Sequence, residues 1–157
     1  MIRYTNYSVV FQEIPGEVTL ALNISNCPHR CKGCHSPELQ QDVGSELTND
    51  VLNMLIDRYE KYISCVCFMG EGQDEEQLAS LCQIVTQRGY ACGLYTGFYS
   101  APEKVLPYLT YLKVGPYIED LGGLASPRSN QTLYRISYAE GDMVRHQILP
   151  KQGETHG

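Results

Sequence analysis

The stretch ISCVCFMGEGQDEEQLASLCQIVTQRGYACGLYTG, residues 63–97, decides the fold class of this chain. It contains a short apolar run at 63–70, an amphipathic run at 74–89 with acids in its first turn, and a second apolar run at 90–97. The short runs are typical of buried strands, and the middle run is typical of a helix that ends at a glycine. This alternation continues through residue 115 and predicts a parallel α/β sheet.

Further elements extend outward from this stretch. A helix is predicted to begin after Thr48, which is a suitable N-cap for a run with apolar residues at helical spacing. Residues 26–46 contain several polar residues and are predicted to be an ordered loop. Strands are predicted at 2–13, 17–25 and 110–115, and a short helix at 101–109.

The C-terminal part departs from the alternation. Residues 116–131 are predicted to be mostly loop, and residues 132–149 to form a hairpin that turns at Glu140-Gly141-Asp142. A complete eight-fold barrel usually takes at least ~200 residues. The 157 residues therefore predict one domain over 1–157 that forms an incomplete barrel or an open sheet.

Composition excludes several classes of protein. Hydrophobic residues are 43% of the chain and charged residues 19%, so disorder is not expected. Twelve Lys and Arg against eighteen Asp and Glu give a net charge of -6, which argues against a nucleic-acid partner. The sequence contains no long apolar run and no signal-peptide pattern at its start, so neither a membrane span nor secretion is expected. A cytoplasmic location is the default expectation.

Cysteine usage supports a reducing compartment. The count is odd, and three cysteines lie within eight residues while the other four lie in apolar segments. A secreted disulfide framework usually has an even number of cysteines. The four scattered cysteines are predicted to pack in the core as small hydrophobes. The positions are 27, 31 and 34 for the crowded group and 65, 67, 82 and 92 for the others.

The crowded group forms the pattern C-x3-C-x2-C directly after a predicted strand. Soft thiolates on one short loop can converge on a single metal centre. One interpretation is a structural zinc site with His29 or His35 as the fourth ligand, although such sites commonly use two separate ligand pairs. A second is a [4Fe-4S] cluster held by three thiolates, which leaves one iron to bind a substrate. A third is a thiol cluster without metal. The absence of a second C-x2-C pair favours the cluster.

Three segments carry a resemblance to a known family. The loop NCPHRCKGCHSPEL (26–39) resembles the cluster signature of the radical S-adenosylmethionine (SAM) enzymes. Together with YTGF (95–98) and the segment 111–136, which contains Ser129-Asn130-Gln131, it more closely resembles the small activating enzymes of the anaerobic (class III) ribonucleotide reductases. The resemblance covers most of the chain and implies an incomplete TIM-like barrel of the radical SAM type, followed by a C-terminal loop and hairpin.

The resemblance implies a radical mechanism. Cys27, Cys31 and Cys34 would bind three irons of a [4Fe-4S] cluster, and S-adenosyl-L-methionine would chelate the fourth. Reductive cleavage of SAM gives a 5′-deoxyadenosyl radical, which takes hydrogen from a glycine of the large subunit of anaerobic ribonucleoside-triphosphate reductase. The electron would come from reduced flavodoxin or a similar donor. This chemistry requires no catalytic acid, base or nucleophile from the chain.

The same resemblance suggests cofactor contacts at predicted strand ends. In FMGEG (68–72), Gly70 and Glu71 match part of a Gly-Gly-acid motif that contacts the methionine amino group, but Met69 replaces the first glycine. Thr96 and Gly97 lie at the next strand end, where ligands of α/β folds bind. For both pairs the alternative is an ordinary turn.

Three further cofactor contacts are suggested in the loops. Gly33 stands where many radical SAM enzymes have an aromatic residue. His35, after the last cysteine of the motif, Cys34, is a candidate to supply the flat surface instead, and the alternative is that it is a local hydrogen-bonding residue. Asn130, with Gln131, is expected to line the mouth of the cofactor site.

Two other functions stay open on sequence alone. One is a radical SAM enzyme that acts on a small molecule, similar to a deazapurine synthase. The other is a zinc-binding interaction module without catalysis.

Overall fold

The structure, a computed structural model, describes residues 1–25, 43–116, 131–139 and 142–148. Within these residues the chain forms one mixed α/β sheet of eight strands with two α-helices. The strand order in the sheet is β3-β1-β2-β4-β5-β6-β7-β8. The strands are β1 Arg3–Val10, β2 Thr19–Ile24, β3 Ser45–Glu46, β4 Cys65–Met69, β5 Ala91–Tyr95, β6 Tyr111–Val114, β7 Thr132–Ala139 and β8 Asp142–Ile148, and the helices are α1 Asn49–Tyr59 and α2 Glu75–Gln87.

The central strands β2, β4, β5 and β6 run parallel, as the alternation of strands and helices predicts for residues 63–115. Antiparallel strands flank them, with β1 on one side and the β7–β8 hairpin on the other. The predicted hairpin is confirmed over its two strands, while residues 140 and 141 of its turn lie outside the described residues. Because the central strands are parallel, their carboxyl ends lie at one edge of the sheet, which we call the carboxyl edge.

Both helices begin at side-chain caps. The Val51 amide donates to the Thr48 hydroxyl at 3.1 Å, and the Gln77 amide donates to the Asp74 carboxylate at 3.1 Å. Such caps satisfy backbone donors that a helix cannot satisfy internally. Neither helix in this part of the chain is long and apolar enough to cross a membrane.

Two local predictions are wrong. The short helix expected at 101–109 is reduced to a 3₁₀ helix at Leu106–Tyr108, because Pro107 has no amide hydrogen with which to continue an α-helical ladder. Within the loop expected at 26–46, Ser45 and Glu46 form strand β3 against Arg3 and Tyr4. A strand of two residues is too short to show an alternation of apolar and polar residues in the sequence.

Each face of the sheet has its own apolar core. On the face covered by the helices, β4 contributes Val66 and Phe68 to the larger core. On the other face, Cys65 and Cys67 pack with Tyr111 and Leu133, and we call this the cysteine face. The core positions predicted for the scattered cysteines are confirmed, because all four are buried and free: Cys65, Cys67, Cys82 and Cys92.

The turn between β1 and β2 folds across the cysteine face. Ile14 of this turn is fully buried there, and the Tyr95 hydroxyl donates to the Glu13 carbonyl. The close approach depends on Gly93, since a Cβ atom at that position would lie 3.0 Å from Cys67 Sγ and 3.1 Å from Ile14 Cδ1. The turn therefore covers the middle of the cysteine face.

Polar contacts join the amino ends of the parallel strands β2, β4 and β6. The Ser64 hydroxyl donates to Glu17 at 2.5 Å, and the Tyr111 hydroxyl donates to the same carboxylate at 2.6 Å. Burial raises the pKa of the Cys65 thiol to about 12, although Thr19 lowers it in part. Structural contacts of Glu17 therefore occupy the amino ends of these strands.

We predict that Gly93→Val destabilises the protein by about 1–3 kcal/mol, because a larger side chain overpacks the space shared with Ile14 and Cys67. Urea unfolding measures the effect. The double variant Gly93→Val/Ile14→Ala should lose less free energy of unfolding than the sum of the two single variants, because Ile14→Ala vacates that space. Strict additivity of the two substitutions would contradict this packing.

Candidate functional site

The carboxyl edge brings together four of the predicted site residues. Gly70 and Glu71 follow β4, and Thr96 and Gly97 follow the neighbouring strand β5. The other predicted site residues lie outside the described part of the chain. They are Cys27, Cys31, Gly33, Cys34, His35 and Asn130.

A buried hydrogen bond joins the two strand ends. The Thr96 hydroxyl donates to Glu71 Oε1 at 2.7 Å, and it accepts the Phe98 amide at 3.1 Å. Glu71 is 8% exposed and Thr96 is 1% exposed. The hydroxyl hydrogen of Thr96 is thus directed to Glu71, and the chain after β5 is fixed to the chain after β4.

Burial shifts the acidity of Glu71. Desolvation raises its pKa, the hydrogen bond from Thr96 lowers it, and the nearby charge of Glu75 raises it again, with a net increase. Burial disfavours a charged carboxylate, so a cation or hydrogen-bond donor close to Glu71 would be stabilising. A carboxylate of this kind suits the ammonium group expected from the family resemblance.

Gly70 has a clear local role. Its φ angle is +117°, and a Cβ atom there would lie 3.1 Å from the Ile24 carbonyl oxygen. Its amide donates to the Tyr95 carbonyl at 2.9 Å. Glycine is therefore required by the turn itself, and the role of Gly70 as a cofactor contact stays a prediction.

Met69, which departs from the family motif, lies at the end of β4 in register with Asn23 of β2 and Tyr95 of β5. It packs against the core of the cysteine face, and the Cys67 thiol contacts its sulfur at 3.7 Å. The thioether therefore occupies the carboxyl end of this face, where the usual glycine would leave space.

Lys113 is a residue of this edge that the sequence analysis did not identify. Its ammonium donates to the carbonyls of Thr96 and Gly115, each at 3.3 Å, and lies 5.5 Å from the centre of the Tyr95 ring. The available signal was a lysine inside the otherwise apolar strand at 110–115. Gln131 is at the same place, since its amide group donates to the Gly115 carbonyl at 3.4 Å.

The residues that flank segment 26–42, which contains the three crowded cysteines, also meet at this edge. The Ser25 hydroxyl donates to the Val43 carbonyl at 2.5 Å, and the Ser25 amide donates to the Arg3 carbonyl at 3.0 Å. The two ends of segment 26–42 are thus joined by a hydrogen bond between Ser25 and Val43, next to the carboxyl end of β2. Among those residues, no group of three His, Cys, Asp or Glu side chains could hold a metal ion.

We predict that Thr96→Val lowers the free energy of unfolding by about 1–3 kcal/mol, because it leaves a buried carboxylate without its donor. Thr96→Ser is the matched control, since it keeps the hydroxyl and loses only a methyl group. Urea unfolding of both variants measures the difference. Equal losses for Val and Ser would show that the hydrogen bond contributes nothing.

Glu71→Gln tests the raised pKa of Glu71 through the pH dependence of stability. The stability that a group gains from a raised pKa is present below its unfolded value and is lost as pH rises through the folded value. The glutamine variant keeps an oxygen for Thr96 and lacks this loss. The difference in free energy of unfolding between the variant and the wild type should therefore shift in favour of the variant as the pH rises above about 4, near the ordinary pKa of a glutamic acid side chain. A shift in favour of the wild type would mean that the pKa is lowered instead.

Comparison with known proteins identifies the family. The sequence model of the family described as "4Fe-4S single cluster domain" matches residues 15–114, well over half of the chain. The matched range includes the three crowded cysteines, β2 and the strand ends that carry Glu71 and Thr96. No curated protein matches the chain. The match supports a [4Fe-4S] cluster as its cofactor, and the chain belongs to the family of 4Fe-4S single cluster domains.

Proposed function

We propose that the chain is a radical SAM activating enzyme whose substrate is a glycine of anaerobic ribonucleoside-triphosphate reductase. One observation carries this proposal. The segment that contains the three cysteines lies in the region matched by a 4Fe-4S family, and the residues that flank this segment are hydrogen-bonded to each other at the carboxyl edge. Ligands of parallel α/β sheets bind at that edge.

The donor set suits the cluster. Cys27, Cys31 and Cys34 offer three thiolates to four irons, which leaves one iron for the amino and carboxylate groups of SAM. In the proposal these cysteines lie beside the carboxyl edge, because Cys27 follows Ser25 by two residues in the sequence. When bound, the cluster supplies an electron that cleaves SAM to methionine and a 5′-deoxyadenosyl radical.

The chain's own side chains orient the cofactor in this proposal. The buried carboxylate of Glu71 attracts the methionine ammonium, and Thr96 fixes the orientation of that carboxylate. The ammonium of Lys113 offsets negative charge from thiolates and a carboxylate at the same edge. Gly33, His35, Gly97 and Asn130 complete the proposed contacts.

The proposed fold is an incomplete TIM-like barrel of the radical SAM type. The turn at Ile14 fills the middle of the cysteine face, and the proposal therefore puts the cofactor at the carboxyl edge. An open side at this edge admits a glycine that belongs to another protein. Reduced flavodoxin or a similar protein is the proposed electron donor, and the proposed location is the cytoplasm.

We predict that the anaerobically reconstituted protein, reduced with dithionite in the presence of SAM, forms 5′-deoxyadenosine. Cys27→Ala, Cys31→Ala and Cys34→Ala should each abolish this product, because a missing thiolate removes an iron ligand. Cys92→Ala, which changes a buried core thiol, is the matched control and should keep the activity. Liquid chromatography of the nucleoside products measures the reaction.

A second readout separates the activating enzyme from a radical SAM enzyme that acts on a small molecule. With the reductase subunit added, the proposal predicts a glycyl-radical signal in electron paramagnetic resonance spectra. Deoxyadenosine without a glycyl radical would exclude the activating function. Tightly bound zinc without iron or deoxyadenosine would exclude radical chemistry altogether.

A further inference from the structure

Strand β8 forms one edge of the sheet, and among the residues that the structure describes it has a neighbouring strand, β7, on one side only. It is seven residues long, contains no proline and pairs with β7 without a register shift. Proteins usually shorten, bulge or cover a sheet edge, because its unpaired backbone groups pair readily with another strand. The opposite edge is shortened in this way, since β3 has two residues. β8 is therefore a long, regular edge that suits pairing with another strand.

The side chains of β8 separate onto the two faces of the sheet. Ile148 packs against the core of the cysteine face, so alternation along the strand places every second residue on that face: Asp142, Val144 and His146. The His146 ring contacts the Ser137 hydroxyl through Nε2 at 3.4 Å. Among the described residues, neither His146 Nδ1 nor the Asp142 carboxylate has a hydrogen-bond partner. Polar groups with unused bonding capacity thus lie at both ends of this edge.

Geometry limits how β8 can pair with the β8 of a second copy. Antiparallel pairing of the two edges requires a twofold axis perpendicular to the sheet. That axis keeps the cysteine faces of both copies on the same side, and residues directly opposite each other in an antiparallel pair share a face. Asp142 therefore lies opposite a residue of the cysteine face in every allowed register, and never opposite Arg145.

One of the allowed registers makes the edge complementary to itself. With Val144 on the twofold axis, Asp142 lies opposite His146 of the second copy, and by symmetry this pair occurs twice. A histidine ring donates to a carboxylate whether it is neutral or protonated. In the same register Met143 lies opposite Arg145, whose apolar stem covers the thioether. An axis at Arg145 or at His146 would place that side chain opposite its own copy, and like charges in this position are destabilising. Charge complementarity therefore selects the register centred on Val144.

We propose that β8 is a dimerisation edge, at which two copies of this chain pair antiparallel about Val144 and join their sheets into one. Backbone hydrogen bonds between the two strands supply the affinity, and the pairs of Asp142 with His146 select the register. A second copy is a better occupant than a different protein, because the edge is complementary to itself. The proposal uses no residue of the proposed cofactor site, and it goes beyond the proposed function without depending on it.

The test is sedimentation velocity of the full chain with its cluster, measured anaerobically over a dilution series. The wild type should show a reversible equilibrium between the 17.7-kDa monomer and a dimer. Asp142→Lys and His146→Glu should each weaken dimerisation roughly tenfold, because each removes a favourable pair that occurs twice in the dimer. Glu103→Lys is the matched control, since it makes the same charge change as Asp142→Lys at an exposed residue outside β8, and it should leave dimerisation unchanged.

Combining the two substitutions tests the register. In the double variant Asp142→Lys/His146→Glu the charges of the pair are exchanged, so the attraction returns and the dimer should recover. An equimolar mixture of the two single variants should also form a heterodimer, because the new lysine of one chain lies opposite the new glutamate of the other. Damage to the hairpin itself would not be repaired by either combination.

Several results would overturn the proposal. One is a chain that sediments as a monomer at every concentration tested, and another is a dimer that neither single variant weakens. Single variants that neither the double variant nor the mixture restores would exclude the register centred on Val144. A monomer whose binding to the reductase subunit is weakened by Asp142→Lys would assign the edge to that protein instead of a second copy. A monomer that still forms 5′-deoxyadenosine would overturn the dimer and leave the proposed function in place.

Discussion

The hydrogen bond from Thr96 to Glu71 is the contact on which the arrangement of the carboxyl edge depends. It joins residues that lie 25 positions apart in the sequence, at the ends of two adjacent parallel strands. The same threonine accepts the Phe98 amide, so the bond also fixes the start of the segment after β5. A carboxylate buried to this degree is costly unless it is hydrogen-bonded, which explains why the fold supplies Glu71 with the hydroxyl of Thr96.

The two edges of the parallel strands have different uses. At the amino edge, Glu17 accepts hydrogen bonds from Ser64 and Tyr111, and the turn at Ile14 fills the adjacent face. At the carboxyl edge, the lysine ammonium of Lys113, a buried carboxylate and the flanks of the cysteine segment meet. Structural contacts therefore concentrate at one edge, and the candidate site residues Glu71 and Lys113 lie at the other.

Much of the fold can be predicted from sequence, because the strands and helices carry strong local patterns. The helix over 74–89 has acids at its start and apolar residues at helical spacing, and the structure has it at Glu75–Gln87. The two-residue strand β3 has no such pattern, and the 3₁₀ helix at Leu106–Tyr108 depends on where a single proline falls. Boundaries and short elements are therefore the parts that periodicity misses.

The positions of Glu71 and Thr96 at strand ends could be predicted from the sequence, but their arrangement could not. Strand ends pointed to Glu71 and Thr96, whereas their mutual hydrogen bond follows from the register of β4 against β5, which a single sequence does not specify. Lys113 was missed for the same reason, since its position beside Tyr95 and Gly115 is set by neighbouring strands.

The central claim is that the chain holds a [4Fe-4S] cluster with one iron that binds SAM. Electron paramagnetic resonance of the reduced protein, recorded before and after addition of SAM, tests this claim most directly. A cluster with one iron open to SAM should give a signal whose shape changes when SAM binds. A cluster signal that SAM leaves unchanged, or no cluster signal at all, would contradict it.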